Sequence, residues 1–148
     1  MTDAELEALL DDEGKRIDGD LYWSEDEDHS IAVELQVAID SDAGYPLLVK
    51  GRYNPVAGKL SFSIIHRGVG RILGLDLGTA HHNPSCHTVP GAHWQIWSER
   101  FGTKDAETAP ELDAFISDPA TVWQTFCARA RIRHTGQLRP SPPRPREL

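Results

Sequence analysis

Cysteine is scarce in this chain of 148 residues, which holds only Cys86 and Cys127. Two cysteines do not make the disulfide framework of a small secreted protein, so we expect a reduced, cytoplasmic protein. No apolar run approaches the roughly 18–20 residues that cross a bilayer, which excludes a transmembrane helix. The acidic opening, MTDAELEALLDDE, lacks the basic and then apolar pattern of a signal peptide. We therefore expect no secretion signal and no membrane partner.

Several motifs of common enzymes are also missing. No G-x-S-x-G marks an activated serine, and no H-E-x-x-H or paired C-x-x-C marks a zinc site. The glycines at 68, 70, 74 and 78 do not have the spacing of a phosphate-binding loop, and no Lys-Ser or Lys-Thr pair follows them. The sequence therefore indicates no cofactor.

Positive and negative charges are separated along the chain, and the formal net charge is −8. Residues 1–42 hold fifteen acids and two bases, residues 43–128 hold seven of each, and residues 129–148 hold six arginines and one glutamate. A uniformly acidic protein repels nucleic acid. Because this chain is acidic only at its N-terminal end and basic at its C-terminal end, its charge neither requires nor excludes nucleic acid as a partner.

Apolar residues alternate at 31–39 and 93–97, which is typical of strands with one buried face. Three further segments rich in apolar residues lie between turn residues and also predict strands. Thr2 and Glu5 form a capping-box pattern, and Asp118-Pro119 begins an amphipathic helix that reaches about residue 132. The predicted fold is α+β, an antiparallel sheet of about five strands with an N-terminal helix and one or two C-terminal helices on one face. The other face of the sheet, or its loop end, is left free for function. The predicted strands are 31–39, 47–53, 59–67, 71–77 and 93–97, and a short helix is predicted at 110–116.

Length and composition predict one folded unit. Hydrophobic residues make up 39% of the chain, enough for one modest core. The last stretch, GQLRPSPPRPREL, is rich in proline and arginine, a composition typical of disorder. We therefore predict a single domain at 1–135 and a disordered tail at 136–148.

Histidine is concentrated in the middle of the chain. The loop at 78–91 joins the fourth and fifth predicted strands, so the hairpin is expected to bring His81 or His82 close to His93. His66 and Arg67, at the end of the third strand, are expected beside them. Imidazole both donates and accepts protons near neutral pH, because its ordinary pKa is about 6.5. The five central histidines are His66, His81, His82, His87 and His93.

One interpretation of this cluster is acid–base catalysis on RNA without a metal. His81 and His93 would exchange the roles of acid and base, and His82 with Arg67 or Arg71 would assist. Strand alternation predicts that His93 projects from the open face, with His81 within about 8 Å of it.

Two other interpretations of the cluster stay open. His82, Cys86, His87 and His93 are residue types that bind zinc, although their spacing is not that of a closed site. The histidines could instead brace the loop by hydrogen bonds to its backbone, with a turn at Asn83-Pro84.

Alternation along the fifth predicted strand separates its aromatic residues. Trp94 and Ile96 should face the helices, while His93, Gln95 and Trp97 should share the open face.

The segment from Arg71 to Ala106 resembles a family of small bacterial and phage proteins known only as a domain of unknown function. That family has a His-x-Asn-Pro-Asp-Gly loop, a Pro-x-His-x-His-aromatic strand and a Gly-x-Lys-Trp-Ala-like segment. The matching residues here are His81, Asn83, Pro84, Pro90, His93, Trp97, Gly102, Lys104 and Ala106.

The chain departs from that pattern at three places. Ser85-Cys86 replaces Asp-Gly, Gln95 replaces the second histidine of the strand, and Asp105 stands where the pattern has tryptophan. If the second histidine is catalytic in the family, its loss predicts an inactive or differently tuned protein.

The histidine-rich hairpin is also similar to that of TumE-type toxins of bacterial toxin–antitoxin systems. That likeness implies RNA or translation as a target and an antitoxin-like protein as a partner. Our leading hypothesis is a toxin-like bacterial or phage protein that acts on RNA through this hairpin, and its activity would be that of a metal-independent ribonuclease. The alternative is a non-catalytic acidic inhibitor that mimics nucleic acid and binds a host or defence protein.

Overall fold

A computed structural model describes residues 1–25, 31–78, 81–82, 88–89 and 91–140; at 81–82, 88–89 and 103–105 it describes the backbone alone. The helices are α1 (Asp3–Asp11), the 3-10 helix η1 (Pro110–Phe115) and α2 (Pro119–Ala130). The strands are β1 (Lys15–Asp18), β2 (Ser24–Glu25), β3 (Val33–Ala38), β4 (Asp40–Ser41), β5 (Leu47–Asn54), β6 (Lys59–His66), β7 (Gly70–Leu77), β8 (His81–His82), β9 (Thr88–Val89), β10 (His93–Ser98), β11 (Gly102–Thr108) and β12 (Ile132–Thr135).

An antiparallel sheet of seven strands dominates the molecule, in the order β11-β10-β7-β6-β5-β3-β2. The five predicted strands form its centre, and the α+β class is confirmed. The predicted count of five was too low because β2 has only two residues and β11 lacks alternating apolar residues. Neither has a pattern that marks a strand in the sequence.

The core lies between one face of this sheet and the helices. Phe62 of β6 contacts the rings of Trp123 and Phe126 of α2, with centroid distances of 5.2 and 5.9 Å. Trp94 of β10 stacks on Phe126 at 6.0 Å. Trp94 therefore faces the helices, as alternation predicts.

Helix α1 begins and ends with side-chain contacts. Thr2 and Glu5 form the predicted capping box at its start. At its end, Nζ of the fully buried Lys15 donates hydrogen bonds to the carbonyl oxygens of Leu9 (2.6 Å), Leu10 (3.2 Å) and Asp12. The lysine thus satisfies carbonyls that a helix end leaves without partners.

A second, smaller sheet ties the two ends of the described chain together. β1 pairs in parallel with β12 and antiparallel with β4. Helix α2 ends at Ala130 because Arg131 adopts a left-handed conformation with φ of 54°, so the predicted helix to about residue 132 was slightly too long.

Ordered structure continues beyond the predicted domain boundary at residue 135. Leu138 is buried and bridges Leu21, whose N–H donates to the carbonyl of Gln137 at 2.8 Å. The expectation of disorder from residue 136 was therefore wrong for 136–140, because an apolar side chain there completes the core. The rest of the predicted tail, 141–148, lies outside the described residues.

Within the described parts of the chain, every helix is too short or too polar to cross a membrane.

Candidate functional site

The face of the large sheet opposite the helices is polar, and we call it the polar face. The strand register aligns its side chains in two rows that run across the strands. The first row is Glu34, Arg52, Ser61, Asp76, His93 and Thr108. The second row is Gln36, Lys50, Ser63, Gly74, Gln95 and Ala106.

Asp76 lies at the centre of the first row, between two basic side chains. Nη2 of Arg71 donates a 2.9 Å hydrogen bond to its Oδ1, and Nε2 of His93 lies 3.5 Å from its Oδ2. The Asp76 side chain is 17% exposed. The carboxylate is thus held from two sides and still reaches the surface.

Arg71 is fixed by side chains of three strands. Its Nε donates to Oγ of Ser63 at 2.8 Å, its Nη1 donates to Oε1 of Gln95, and its Nη2 donates to Asp76. A Cβ built on Gly74 would overlap Nη2, Cζ and Nε of Arg71 alike. The broad side of the guanidinium therefore occupies the space that a side chain at position 74 would fill.

A β-bulge puts Arg71 on this face. Simple alternation would group Arg71 with the buried Leu73 and Leu75, on the side of the helices. The register between β6 and β7 shifts so that Ile64 pairs with Leu73 and Ile65 with Arg71. One extra residue reverses the alternation, so Arg71 points to the polar face.

His93 is on the polar side of β10, as predicted, but it is completely buried. Its Nδ1 lies 2.8 Å from the carbonyl oxygen of Gly91, which requires a proton on Nδ1, and its Nε2 faces Asp76. The contact with Asp76 raises the pKa of His93, against the opposing effect of burial. This geometry favours a protonated imidazole that holds Asp76. His93 thus projects to the polar face as predicted, but it is not exposed there, because both ring nitrogens point at protein groups.

Asp76 is ionised in this arrangement. Burial alone would raise its pKa, but the contact with His93 and the charge and hydrogen bond of Arg71 outweigh burial and hold the pKa below its ordinary value. An ionised carboxylate is a poor proton acceptor near neutral pH and a strong hydrogen-bond acceptor.

Two grooves flank Arg52 on the polar face. The Asp76 groove has a volume of about 410 Å³ and the Lys50 groove about 350 Å³. The Asp76 groove is lined by Arg52, Asn54, Ala57, Lys59, Leu60, Ser61, Asp76 and Leu77. The Lys50 groove is lined by Ser24, Glu34, Leu35, Gln36, Lys50, Gly51, Arg52, Ser61 and Ser63.

The structure brings together only some of the predicted catalytic residues. Arg71 and His93 meet through Asp76. Arg67 lies beyond His66 at the opposite end of β6 from Ser61, about 16 Å or more along the sheet from the row of His93. The prediction that Arg67 lies beside His93 was wrong, because the third strand ends where the fourth begins, whereas His93 lies beside the end of the fourth.

The other predicted site residues are not tested. His81 and His82 pair through their backbones with Val89 and Thr88, and their side chains lie outside the described residues, as do Cys86 and His87 entirely. The proposed distance of about 8 Å between His81 and His93, and the zinc site, stay predictions. Elsewhere in the described chain, no three His, Cys, Asp or Glu side chains cluster as metal ligands would.

Trp97 departs from the predicted alternation. The register between β10 and β11 shifts between Ile96 and Ser98, and Trp97 lines a cleft beside α1 together with Ile96 and Leu10. Trp97 therefore packs partly buried beside α1 and does not share the polar face with His93 and Gln95.

Sequence reasoning missed Asp76, which organises the site. The signal was present: Asp76 is the single acid of an apolar strand, RILGLDL, and alternation from Leu75 and Leu77 assigns it to the open face. Gln95, which stands where the resembled family has a histidine, binds Arg71.

Comparison with known proteins gives a family but no activity. No curated protein and no solved structure matches the chain. The looser likeness to TumE-type toxins is not shown by these comparisons. A family model matches residues 1–132, nearly the whole described chain, and confirms the resemblance to a family of unknown function. The chain belongs to the family described as "Family of unknown function (DUF6978)".

Proposed function

We propose that this protein binds RNA along the polar face of its large sheet, in the toxin-like role that the sequence suggested. The observation that carries the proposal is the charge of this face. Among the described residues it holds the cations Lys50, Arg52, Lys59 and Arg71 against the carboxylates Glu34 and Asp76, in a chain of net charge −8. Arg52 pairs with Glu34 and Arg71 with Asp76, so Lys50 and Lys59 make up the excess positive charge.

Cations on an open face suit a polyanion. Lysine and arginine side chains bind phosphates and release condensed counterions, which makes such binding sensitive to salt. Lys50 and Lys59 are exposed, one in each groove, and Arg52 lies between the grooves. A strand that crosses both grooves would meet all three cations.

We also propose that the protein catalyses a reaction on RNA, but with a different role for His93 from the one that the sequence suggested. The buried position of His93 favours a role in positioning Asp76 over direct proton transfer to a substrate. Proton transfer is then left to His81 and His82 of the β8–β9 hairpin. A cytoplasmic location and an antitoxin-like protein partner complete the toxin-like proposal.

The binding step is tested by fluorescence anisotropy with a labelled single-stranded RNA at low and high salt. We expect binding that weakens as salt rises, and a loss of about tenfold when Lys50→Glu and Lys59→Glu are combined. Arg133→Glu is the matched control, since Arg133 is an exposed cation in the small sheet. No binding at low salt, or an equal loss in the control, would contradict the proposal.

The toxin-like role is tested by induction in a bacterial host. Wild-type protein should slow growth, and the Lys50→Glu, Lys59→Glu pair should relieve the effect. His81→Ala should relieve it without weakening RNA binding. Normal growth on induction of a soluble wild-type protein would count against toxicity and leave RNA binding to be judged by anisotropy.

A second candidate function is inhibition by nucleic-acid mimicry, and α1 favours it. This helix buries Leu6 and Leu9 and exposes its acids to solvent. Replacement of Glu7 and Asp11 by lysine separates the two candidates. If the acidic face of α1 binds a target by mimicking nucleic acid, the change should abolish the slowing of growth on induction. If the polar face binds RNA, the change should leave the slowing of growth as it is or strengthen it.

A further inference from the structure

Asp76 is an unexpected residue on a face that, by the proposed function, binds the phosphates of RNA. A carboxylate repels a polyanion, so it weakens binding unless it accepts hydrogen bonds from the ligand. Arg71 and His93 each approach one of its oxygens. A carboxylate has about four acceptor positions, so acceptor capacity remains on the exposed side, which lines the Asp76 groove.

The surroundings of Asp76 restrict what this groove can bind. Ser61 lies directly opposite Asp76 on the neighbouring strand, and Arg52 lies directly opposite Ser61. Arg52 and Asp76 are thus two strand spacings apart, about 10 Å between their backbones. Lys59 lines the same groove. The groove therefore offers an acceptor on one wall and cations on the other, with a hydroxyl between them.

A matching ligand carries a hydroxyl donor next to an anion. The repeating unit of RNA has this arrangement, since its 2'-hydroxyl lies beside the backbone phosphate, and DNA lacks the donor. The pairing of Asp76 with two cations suits this role, because it fixes the carboxylate in place and keeps it ionised.

We propose that the Asp76 groove recognises ribose, with Asp76 accepting a hydrogen bond from the 2'-hydroxyl while Arg52 and Lys59 bind the adjoining phosphate. This inference rests on the proposed binding of RNA and makes it selective for RNA over DNA. A free ribonucleotide carries the same chemistry, and the experiment separates it from a strand.

The test compares ligands on the wild-type protein. Three oligonucleotides share one uracil-containing sequence and differ only at the sugar, as RNA, as DNA, and as 2'-fluoro RNA, which keeps an RNA-like sugar but cannot donate. We expect RNA to bind about tenfold more tightly than either of the others, the usual effect of one hydrogen bond to a charged group. Because the protein is unchanged, a folding defect cannot produce this result.

Two variants then assign the selectivity to a residue. Asp76→Ala, which removes the acceptor, should reduce the ratio of RNA to DNA affinity to about one, with circular dichroism as a check of folding. Glu111→Ala is the control, since Glu111 is an exposed carboxylate of η1 that lines neither groove, and it should leave the ratio unchanged.

The outcomes separate the two proposals. Equal binding of all three oligonucleotides overturns ribose recognition and leaves RNA binding in place. Binding of none of them overturns the proposed function. Competition by uridine monophosphate at the affinity of the whole oligonucleotide would show a site for a free ribonucleotide and contradict recognition of a strand.

Discussion

Nε1 of Trp123 donates a 2.9 Å hydrogen bond to Nδ1 of His134, and Nε2 of His134 lies 2.7 Å from the carbonyl oxygen of Gly19. Because Nδ1 accepts, the ring proton is on Nε2 and is donated to Gly19. One imidazole therefore joins α2, β12 and the residue that follows β1.

Replacement of His134 by alanine should lower the free energy of unfolding by about 1–3 kcal/mol, because it leaves the buried indole N–H of Trp123 without its acceptor. Urea denaturation followed by tryptophan fluorescence measures the change. Arg133→Ala, next to it and exposed, should stay within about 0.5 kcal/mol. Similar values for both variants would show that the imidazole does not hold these elements together.

Truncation tests the docking of residues 136–140. A chain that ends at Thr135 should be less stable by about 2–3 kcal/mol than one that ends at Pro140, since it exposes Leu21 and loses the burial of Leu138. Thermal melts of both chains decide this. A difference below about 0.5 kcal/mol would return the boundary to residue 135.

The contact between Asp76 and His93 predicts a stability that depends on pH. The lowered pKa of Asp76 gives stability at pH values above the ordinary 3.8, which is lost as the pH falls through the folded-state value. The raised pKa of His93 gives stability below the ordinary 6.5, which is lost as the pH rises through its folded-state value. The difference in free energy of unfolding between wild type and Asp76→Asn should therefore be largest between these two ordinary values. Urea titrations across pH measure it, and a flat difference would contradict the contact.

Gly74→Ala should lower the free energy of unfolding by about 1–3 kcal/mol, because the new Cβ displaces Arg71 from its three hydrogen bonds. Gly68→Ala is the control, since its Cβ would meet only ring atoms of the His66 side chain, at 3.3 and 3.4 Å, a tight contact that a small shift of the ring relieves. In an Arg71→Ala background the Gly74→Ala change should cost almost nothing, because its effect acts through that side chain. Additive losses would refute this coupling.

Lys15→Met should destabilise the protein by about 1–3 kcal/mol, although methionine is apolar and similar in length. The carbonyl oxygens at the end of α1 would lose their donor in a buried place. Chemical denaturation measures the loss, with the exposed Lys59→Met as control. Unchanged stability would show that the buried ammonium is replaceable by packing.

The alternation of apolar and polar residues correctly predicts which side chains are buried where one face of a strand is apolar and the other is polar. In β6, Leu60, Phe62 and Ile64 are buried while Lys59, Ser61 and Ser63 are at least partly exposed, and this contrast is visible in the sequence. It failed in β7, because one extra residue at the bulge reverses the side on which Arg71 lies. A bulge depends on the partner strand, and a single sequence does not show it.

The sequence predicted some residues of the candidate site but not the contacts that join them. His93 and Arg71 were identified by residue type, but their common partner Asp76 was not, because a lone acid gives no motif. Arg71 and His93 both contact Asp76 only because β7 and β10 pair in this register and because Gly74 leaves room for the guanidinium of Arg71. Similarly, Leu138 looked like part of a disordered tail because the proline and arginine around it outweigh one apolar residue, and only its contact with Leu21 shows otherwise.

The parallel pairing of β1 with β12 has a consequence for how the chain is made. Oγ1 of Thr135 donates to Asp18 across 117 positions of sequence. During translation β1 leaves the ribosome early, whereas its partner β12 is the last of the described strands to be synthesised. The small sheet therefore closes only after synthesis of residues 132–135. A ribosome that stalls earlier leaves an unpaired strand edge open to neighbouring chains.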